Sequence, residues 1–359
     1  MANTQFATSS NFNVLNWERR LERETLKRMQ FSKWASKGTG SLIRVVDDLA
    51  RGNNAAGDTV YTSLLMNLTG DGVAGDSALQ GNEESLTLYR QTVLIDQLRH
   101  AVKSDGRMTN QRVFFDFQTE ATDVLSRWMS NRMDTWCANV LAGNTGQTDT
   151  KYTGMQAASA PTSATGNMRI VYGPGTNTTE ASLSASAGLG FQLTMLDDAV
   201  ALAETATPNI APVDTEMGPR YIAVLHPFQI KTLVKDATAG RVTWYDYNKA
   251  ILSGGGKDGI KAAHYNALAD YNGVLLFSDS RMPMAPSRTR VRRAIFGGAQ
   301  AATLAFGREG GSLTRFKFDY QEEDFKNRLG IGARVMGGEK KSVYNSIDFG
   351  GIVLSRYAA

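Results

Sequence analysis

The residue groups with a chemical look to them are few, and each fails on spacing. Ser253-Gly254-Gly255-Gly256-Lys257-Asp258-Gly259 has the glycines and the lysine of a phosphate-cradling loop. That loop also needs an earlier glycine for close backbone approach and a hydroxyl after the lysine for Mg2+. Ile251 and Asp258 stand in those places, so the segment reads as a glycine turn. Gly188-Leu189-Gly190 lacks the third glycine and the preceding strand of a dinucleotide site. There is no Gly-x-Ser-x-Gly elbow, no His-x-x-x-His and no Cys-x-x-Cys, so neither a nucleophile nor a transition-metal site has a framework. Asp71 and Asp76 flank a glycine-rich tip, but not at the spacing of a calcium loop. The acidic groups Glu83-Glu84, Asp197-Asp198 and Glu322-Glu323-Asp324 would do acid–base work only if their surroundings split the paired pKa values. A solvated or interface-paired role is expected for each. His100, His226 and His264 are scattered and expected to be structural. Cys137, the single cysteine, excludes a disulfide framework, fits a reducing compartment and reads as a small core residue, with no base beside it to activate a thiolate. No catalytic residue, cofactor or metal is therefore expected.

The elements that would position any site begin with one long helix. Thr109 to Ala142 contains neither Pro nor Gly. Apolar side chains recur at steps of three and four, at Phe114, Phe117, Ala121, Val124 and Trp128 and again at Leu125, Met129, Met133, Trp136 and Val140. With Thr109 as N-cap and Gly143 as stop, the spacing predicts a helix of about 34 residues and roughly 50 Å. A chain of 359 residues packed as a ball has a radius of gyration of about 20 Å, so such a helix implies a flat, elongated body with the helix as its spine. Trp128 is placed on its core face, where an aspartate would prevent folding.

Ahead of the spine, Thr59 to Leu68 reads as a strand with Val60, Leu64, Met66 and Leu68 on one face and Tyr61 and Leu65 on the other. The glycine-rich tip at 69–76 follows, then a second extended arm from Leu86 to Val102. A two-stranded ribbon with apolar residues on both faces needs a surface to lie on, and another subunit can supply it. Residues 1–16 read as an arm ordered by a neighbour. After the spine, 144–187 is rich in Gly, Ser, Thr and Ala and reads as a surface insertion with one short strand at 168–172. Beyond it come a helix at 188–205, a strand at 221–225 closed by His226-Pro227, a short helix to Val234, and strands at 273–278 and 291–296. Thr314 to Tyr320 alternates with its aromatics inward, followed by a polar turn at 321–324. A last strand at 342–354 is interrupted at Gly350-Gly351. This is a mixed α+β chain rather than a regular βαβ series.

Net charge is +4 with 42% hydrophobic residues. That balance permits contact with nucleic acid without requiring it. No apolar run approaches the ~18 residues of a membrane span. The opening Met-Ala-Asn-Thr-Gln-Phe lacks the features of an export signal. The charge is concentrated at Arg19, Arg20, Arg23, Lys27 and Arg28, in a stretch of helical spacing where Lys and Arg outnumber Glu.

Three runs carry a family resemblance: Gly57-Asp58-Thr59-Val60, Leu79-Gln80-Gly81-Asn82-Glu83-Glu84 and Asp96-Gln97-Leu98-Arg99-His100-Ala101-Val102. With the closing Val343-Tyr344-Asn345-Ser346-Ile347-Asp348-Phe349-Gly350, they resemble the major capsid proteins of tailed bacteriophages, in the branch typified by the large podovirus N-four. The resemblance implies an α+β fold of the Hong Kong 97 (HK97) type, divided into an N-terminal arm (1–52), an extended hairpin loop (53–107), a peripheral domain with the spine helix and the insertion (108–187), an axial domain (188–306) and return strands of the peripheral domain (307–359). It also implies self-assembly into hexamers and pentamers of an icosahedral shell around double-stranded DNA. Scaffolding, portal and decoration proteins would be partners, with assembly in the host cytoplasm and residence in the virion. On this reading Glu83, Glu84, Arg90 and Arg99 would pair with a neighbour, and Arg19, Arg20, Arg23, Lys27 and Arg28 would face the interior and its DNA. Some members of the fold cross-link through a lysine on the extended loop. None lies between Gly57 and Val102, so a non-covalent shell is expected. A nanocompartment shell of the same fold, or an α/β enzyme with an unrecognised site, are the alternatives.

Overall fold

The computed structural model describes residues 11–47, 57–112, 116–183, 190–235, 244, 246, 267–307 and 314–358, leaving out 66–67, 69, 71, 76–78, 155, 165–166, 174–178, 287 and 289 within them. The glycine turn at 253–259, His264, Phe114, Met66, Asp71, Asp76, Gly188, Leu189 and the first ten residues lie outside the described residues. In chain order, α1 (Asn11–Arg28) is followed by a 3-10 turn, β1 (Ala35–Ser36) and β2 (Ile43–Val46). Next come β3 (Thr59–Leu65), β4 (Leu88–Leu94), β5 (Asp96–Lys103), α2 (Arg107–Gln111), α3 (Phe117–Leu141), α4 (Thr150–Thr153) and β6 (Ile170–Val171). The second half holds α5 (Thr194–Thr205), β7 (Val213–Thr215), β8 (Gly218–Leu225), α6 (Pro227–Lys235), β9 (Ala269–Tyr271), β10 (Val274–Ser278), β11 (Val291–Gly297) and β12 (Ala302–Phe306). It closes with β13 (Phe316–Glu323), β14 (Arg328–Lys341), β15 (Val343–Tyr344), β16 (Ile347–Asp348) and β17 (Gly351–Tyr357).

The spine helix is α3, and it is shorter than its apolar period. It has 25 residues, about 37 Å, and starts at Phe117 because Asp116 caps it: the carboxylate accepts from the Gln118 and Thr119 amides. Thr109 lies inside the separate short helix α2 instead of capping the spine. The stop is as expected, since Gly143 takes φ +62°, a left-handed conformation that glycine adopts without strain. Ala121, Leu125, Met129, Met133 and Cys137 are buried along one face. Val124 is off that face, and Trp128 packs against the core only from its rim. Val124 is 53% exposed. Trp128 is half-buried at the flank, stacked on His100 with ring centroids 4.5 Å apart and covered by the Arg132 guanidinium at 5.4 Å. The broad apolar stripe overshoots by one column of residues, and that column faces the edge of a sheet.

Two sheets share this helix. One is six-stranded, in the order β1-β2-β12-β14-β13, with β5 also paired to β14. The other is seven-stranded, in the order β6-β17-β11-β8-β10-β9, with β7 paired to β8. In the second sheet the inner strands read as near-continuous apolar runs because both faces are covered. Ile222, Val224, Leu275, Phe277 and Ile295 point into the core that holds Leu125, Met129 and Met133. The alternate residues Ala223, Leu225, Leu276, Ala294 and Phe296 pack under Leu196 and Ala199 of α5 and Leu233 of α6.

Three further boundaries depart from expectation. The second arm of the ribbon does not run unbroken to Val102. It ends at Leu94, Ile95 turns, and β5 joins the six-stranded sheet antiparallel to β14, from Asp96↔Gly337 to Lys103↔Gly330. The acidic run Glu322-Glu323 is the end of β13 rather than a turn. The turn comes at Asp324, Phe325 and Lys326, with φ of +52°, +48° and +70°, and it leaves Phe325 fully exposed. The segment after the spine is built into the body wherever it is described. β6 pairs with β17, Arg169 is fully buried, and buried Glu180 forms an ion pair with Arg293 at 2.6 Å and accepts from Ser355. The last strand is divided into β15, β16 and β17, with left-handed Asn345 and Ser346 turning the first pair.

Candidate functional site

β3 and β4 form a ribbon in strict register, from Thr59↔Leu94 to Leu65↔Leu88. Because side chains alternate, each face carries one set. Val60, Thr62, Gln91 and Val93 face inward and are buried, with Val60 and Val93 packed on Val46, Ala305 and Ile95. Farther out on that face, Leu64 and Tyr89 line a cleft of about 200 Å³ with Pro208, Tyr344, Ile347 and Phe349. The base of the ribbon therefore rests on its own body, contrary to a ribbon that needs a neighbour along its whole length. The outward face does not. Tyr61 is 58% exposed, Leu65 56%, Leu88 60% and Leu94 48%, and Leu68, Leu79 and Leu86 are open toward the tip. An apolar row displayed on one side of a projecting ribbon marks an interaction surface.

The four predicted ribbon contacts divide. Glu83 accepts from the Gly81 amide at 2.8 Å, and Glu84 from the Gly70 amide at 2.7 Å, so Glu84 ties the two arms of the tip. The Arg90 guanidinium lies over the Tyr61 ring at 4.9 Å on the outward face. Arg99 is elsewhere, exposed on β5 and opposite Arg334 in the six-stranded sheet.

The basic helix divides too. Arg19, Arg23 and Lys27 are exposed at intervals of four, which places them in one line about 12 Å long on the outer face of α1. Arg20 is half-buried against Trp17, 5.2 Å from the ring centroid. Arg28 turns to the spine, where it donates to the Asp123 carbonyl at 3.0 Å and the Ser126 hydroxyl at 2.9 Å and pairs with the Asp123 carboxylate. That guanidinium holds the Asp123 carboxyl below its usual range. Arg28 thus fastens α1 to the spine helix.

The buried polar groups have structural partners. Cys137 is buried, and its thiol donates to the Glu339 carboxyl oxygen Oε2 at 3.1 Å. Burial pushes the Glu339 carboxyl up to about 8 and raises the Cys137 thiol, which removes it as a nucleophile at neutral pH. Asp134 sits inside the spine's core face, accepting from the Gln30 and Phe31 amides and paired with Arg281 at 2.6 Å. Burial raises its carboxyl while those partners pull it down. Arg293 donates to the carbonyls of Ala142 and Gly143 at the spine's C-terminal end, where the helix dipole favours a cation. Buried Lys341 pairs with buried Asp348 at 2.8 Å. His226 caps α6: its Nδ1 accepts from the Phe228 amide at 3.1 Å, and its own backbone amide donates to Gln229 Oε1 at 3.0 Å. Burial lowers its pKa to about 4, keeping Nδ1 a free acceptor. Of these, only the His-Pro-Phe-Gln cap has a local sequence signal. The ion pairs Asp134–Arg281 and Glu180–Arg293 join residues over a hundred positions apart and carry none. Among the described residues, no group of three His, Cys, Asp or Glu is placed to hold a metal, and no helix is long and apolar enough to cross a membrane.

Comparison with known proteins finds phage capsid proteins. Over the whole chain the fold matches the capsid of Ralstonia phage GP4, with a TM-score of 0.75 and 25% identity, covering 96% of that chain. It also matches the capsid of cyanophage Pam1, with a TM-score of 0.70 and 18% identity, covering 97% of that chain. Over 140 residues it is 32% identical to the major capsid protein of Pseudomonas phage KPP25, a segment that spans 39% of this chain and 37% of that relative. The HK97-type α+β fold implied by the resemblance is borne out by these likenesses. The model of the family described as "Phage capsid protein" matches residues 5–359, and the chain belongs to that family.

Proposed function

We propose that this chain is the major capsid protein of a tailed phage, building hexamers and pentamers of an icosahedral shell around double-stranded DNA, with a structural and not a catalytic role. The observation that carries the reading is the open outward face of the ribbon: Tyr61, Leu65, Leu88 and Leu94 stay about half exposed on their own body. A neighbouring copy supplies that cover, and repetition round a closed shell multiplies modest contacts into strength. The arm, extended loop, peripheral and axial divisions at 1–52, 53–107, 108–187 with 307–359, and 188–306 are the functional parts of such a tile. Glu83, Glu84 and Arg90 line the same ribbon, and Arg99 lies where β5 continues from it. The line of Arg19, Arg23 and Lys27 suits repeated phosphates, with sequence-independent contact to packaged DNA. Arg20 and Arg28 flank that line and steady the helix that carries it. Assembly proceeds in the host cytoplasm around a scaffolding protein, with a portal at one vertex and a decoration protein as a further partner.

The test is a double substitution on the outward face, Leu65→Asp with Leu88→Asp. Subunits should remain folded and soluble while shells disappear from electron micrographs. Wild-type shells from that variant would end the reading. With no lysine from Gly57 to Val102 on the loop, the shell holds without covalent links. Purified particles heated in denaturant should run as a single band at monomer mass, and a ladder above it would contradict this.

A further inference from the structure

Among the described residues, the ribbon's second strand leaves the body at a close crossing with β14. β4 ends at Leu94, Ile95 turns, and the chain passes directly over β14. A Cβ placed on Gly338 would fall well inside contact distance of the Leu94 carbonyl oxygen, 2.9 Å from the carbonyl carbon and 3.4 Å from the Ile95 Cα. No side chain fits there, and the obstacle is backbone rather than a flexible tip. Gly307 closes the other side, its Cβ position lying 3.3 Å from Ile95 Cγ2 and 3.3 Å from Met336 Cβ. Around this contact the ribbon's backbone is tied down. Gln156 Nε2 donates to the Leu94 carbonyl at 2.8 Å, Lys340 Nζ to the Thr92 carbonyl at 3.0 Å, and the Ile95 amide to the Asp58 carbonyl at 2.6 Å. From beneath, the Gln91 side chain donates through Nε2 to the Lys341 carbonyl.

We propose that the crossing at Gly338 is a positioning device that sets the angle at which the ribbon leaves the body, and with it the geometry of docking on a second copy of this chain. The inference rests on the reading that the ribbon's outward face docks on a neighbour. Each ribbon strand of seven residues is about 23 Å long. A tilt of about 10° at the base moves the far end by roughly 4 Å, more than a close-packed contact tolerates. A clamped base keeps the ribbon aimed before it meets its neighbour, which reduces the ordering cost of association. Gly338 is thus a positioning residue for assembly, although it touches no neighbour itself.

The experiment uses the full chain, with shells imaged and sized by electron microscopy and subunit folding followed by circular dichroism and thermal melting. G338A should leave folded subunits that build no shells, shells of altered diameter, or wild-type shells at least ~10-fold fewer. G332A, on the same strand with only ordinary contacts at 3.4 Å and beyond, should match wild type. Q156A with K340A removes two ties and should broaden the distribution of shell diameters. Wild-type yield and diameter from G338A would overturn the proposal. If G338A fails to fold, the decision passes to the Q156A/K340A pair: a uniform wild-type diameter overturns the proposal and a broadened one upholds it. Leu65→Asp with Leu88→Asp separates the two claims. Its normal assembly sinks the docking reading, whereas its failure beside normal G338A shells sinks only the crossing.

Discussion

Two buried ionisable residues act in opposite directions on stability. Glu339, held near 8 by burial, keeps its proton in the folded state while the unfolded chain loses it near 4.5. Its folded pKa is raised, so its contribution is full below about 4.5 and is lost as pH rises toward 8, at about 1.4 kcal/mol per pH unit. His226 has its pKa depressed from 6.5 to about 4, so its contribution is lost as pH falls through that window. Between about 4.5 and 6.5 the two slopes oppose each other, and from about 6.5 to 8 Glu339 acts alone. Denaturant unfolding of the free subunit should therefore show stability falling from pH 6.5 to 8. Glu339→Gln should flatten that fall, and an unchanged slope would show that Glu339 is ionised in the fold. None of this is legible from the residue itself. A lone glutamate in a strand reads as solvated, and only the packing of β14 under the spine removes its water.

Among the elements, the spine shows how far periodicity reaches. Steps of three and four located the helix and most of its buried face, and Gly143 marked its end. The start was missed because Asp116 competes with Thr109 as a cap and wins by accepting two amides. The flank was missed because Trp128 keeps helical spacing with the core while stacking on His100, a partner on another element. This reverses the expectation for aspartate at Trp128. Trp128→Asp should leave a folded subunit destabilised by about 1–3 kcal/mol, whereas Met129→Asp, at a fully buried position, should leave none. Circular dichroism and solubility distinguish the two, and loss of folding in both would restore Trp128 to the core. The ribbon's second arm was read too long for a related reason. Alternation continues unbroken through Ile95, but the partner strand changes there from β3 to β14, and pairing partners are not written in one strand's pattern.

For the whole molecule, the projecting ribbon was readable, and together with the quoted motifs it pointed to a shell tile. The buried ion pair that stitches 144–187 into the body was not, because Glu180 and Arg293 acquire meaning only after folding brings them out of water. In the proposed shell the outward face of the ribbon is covered by another copy. Cys137 is buried, so Leu65→Cys introduces one accessible thiol against a silent background. The most direct measurement is its alkylation rate in free subunits and in assembled shells. Labelling should be at least ~10-fold slower in the shell, with Cys137 unlabelled in both. Equal rates in shell and subunit would contradict it.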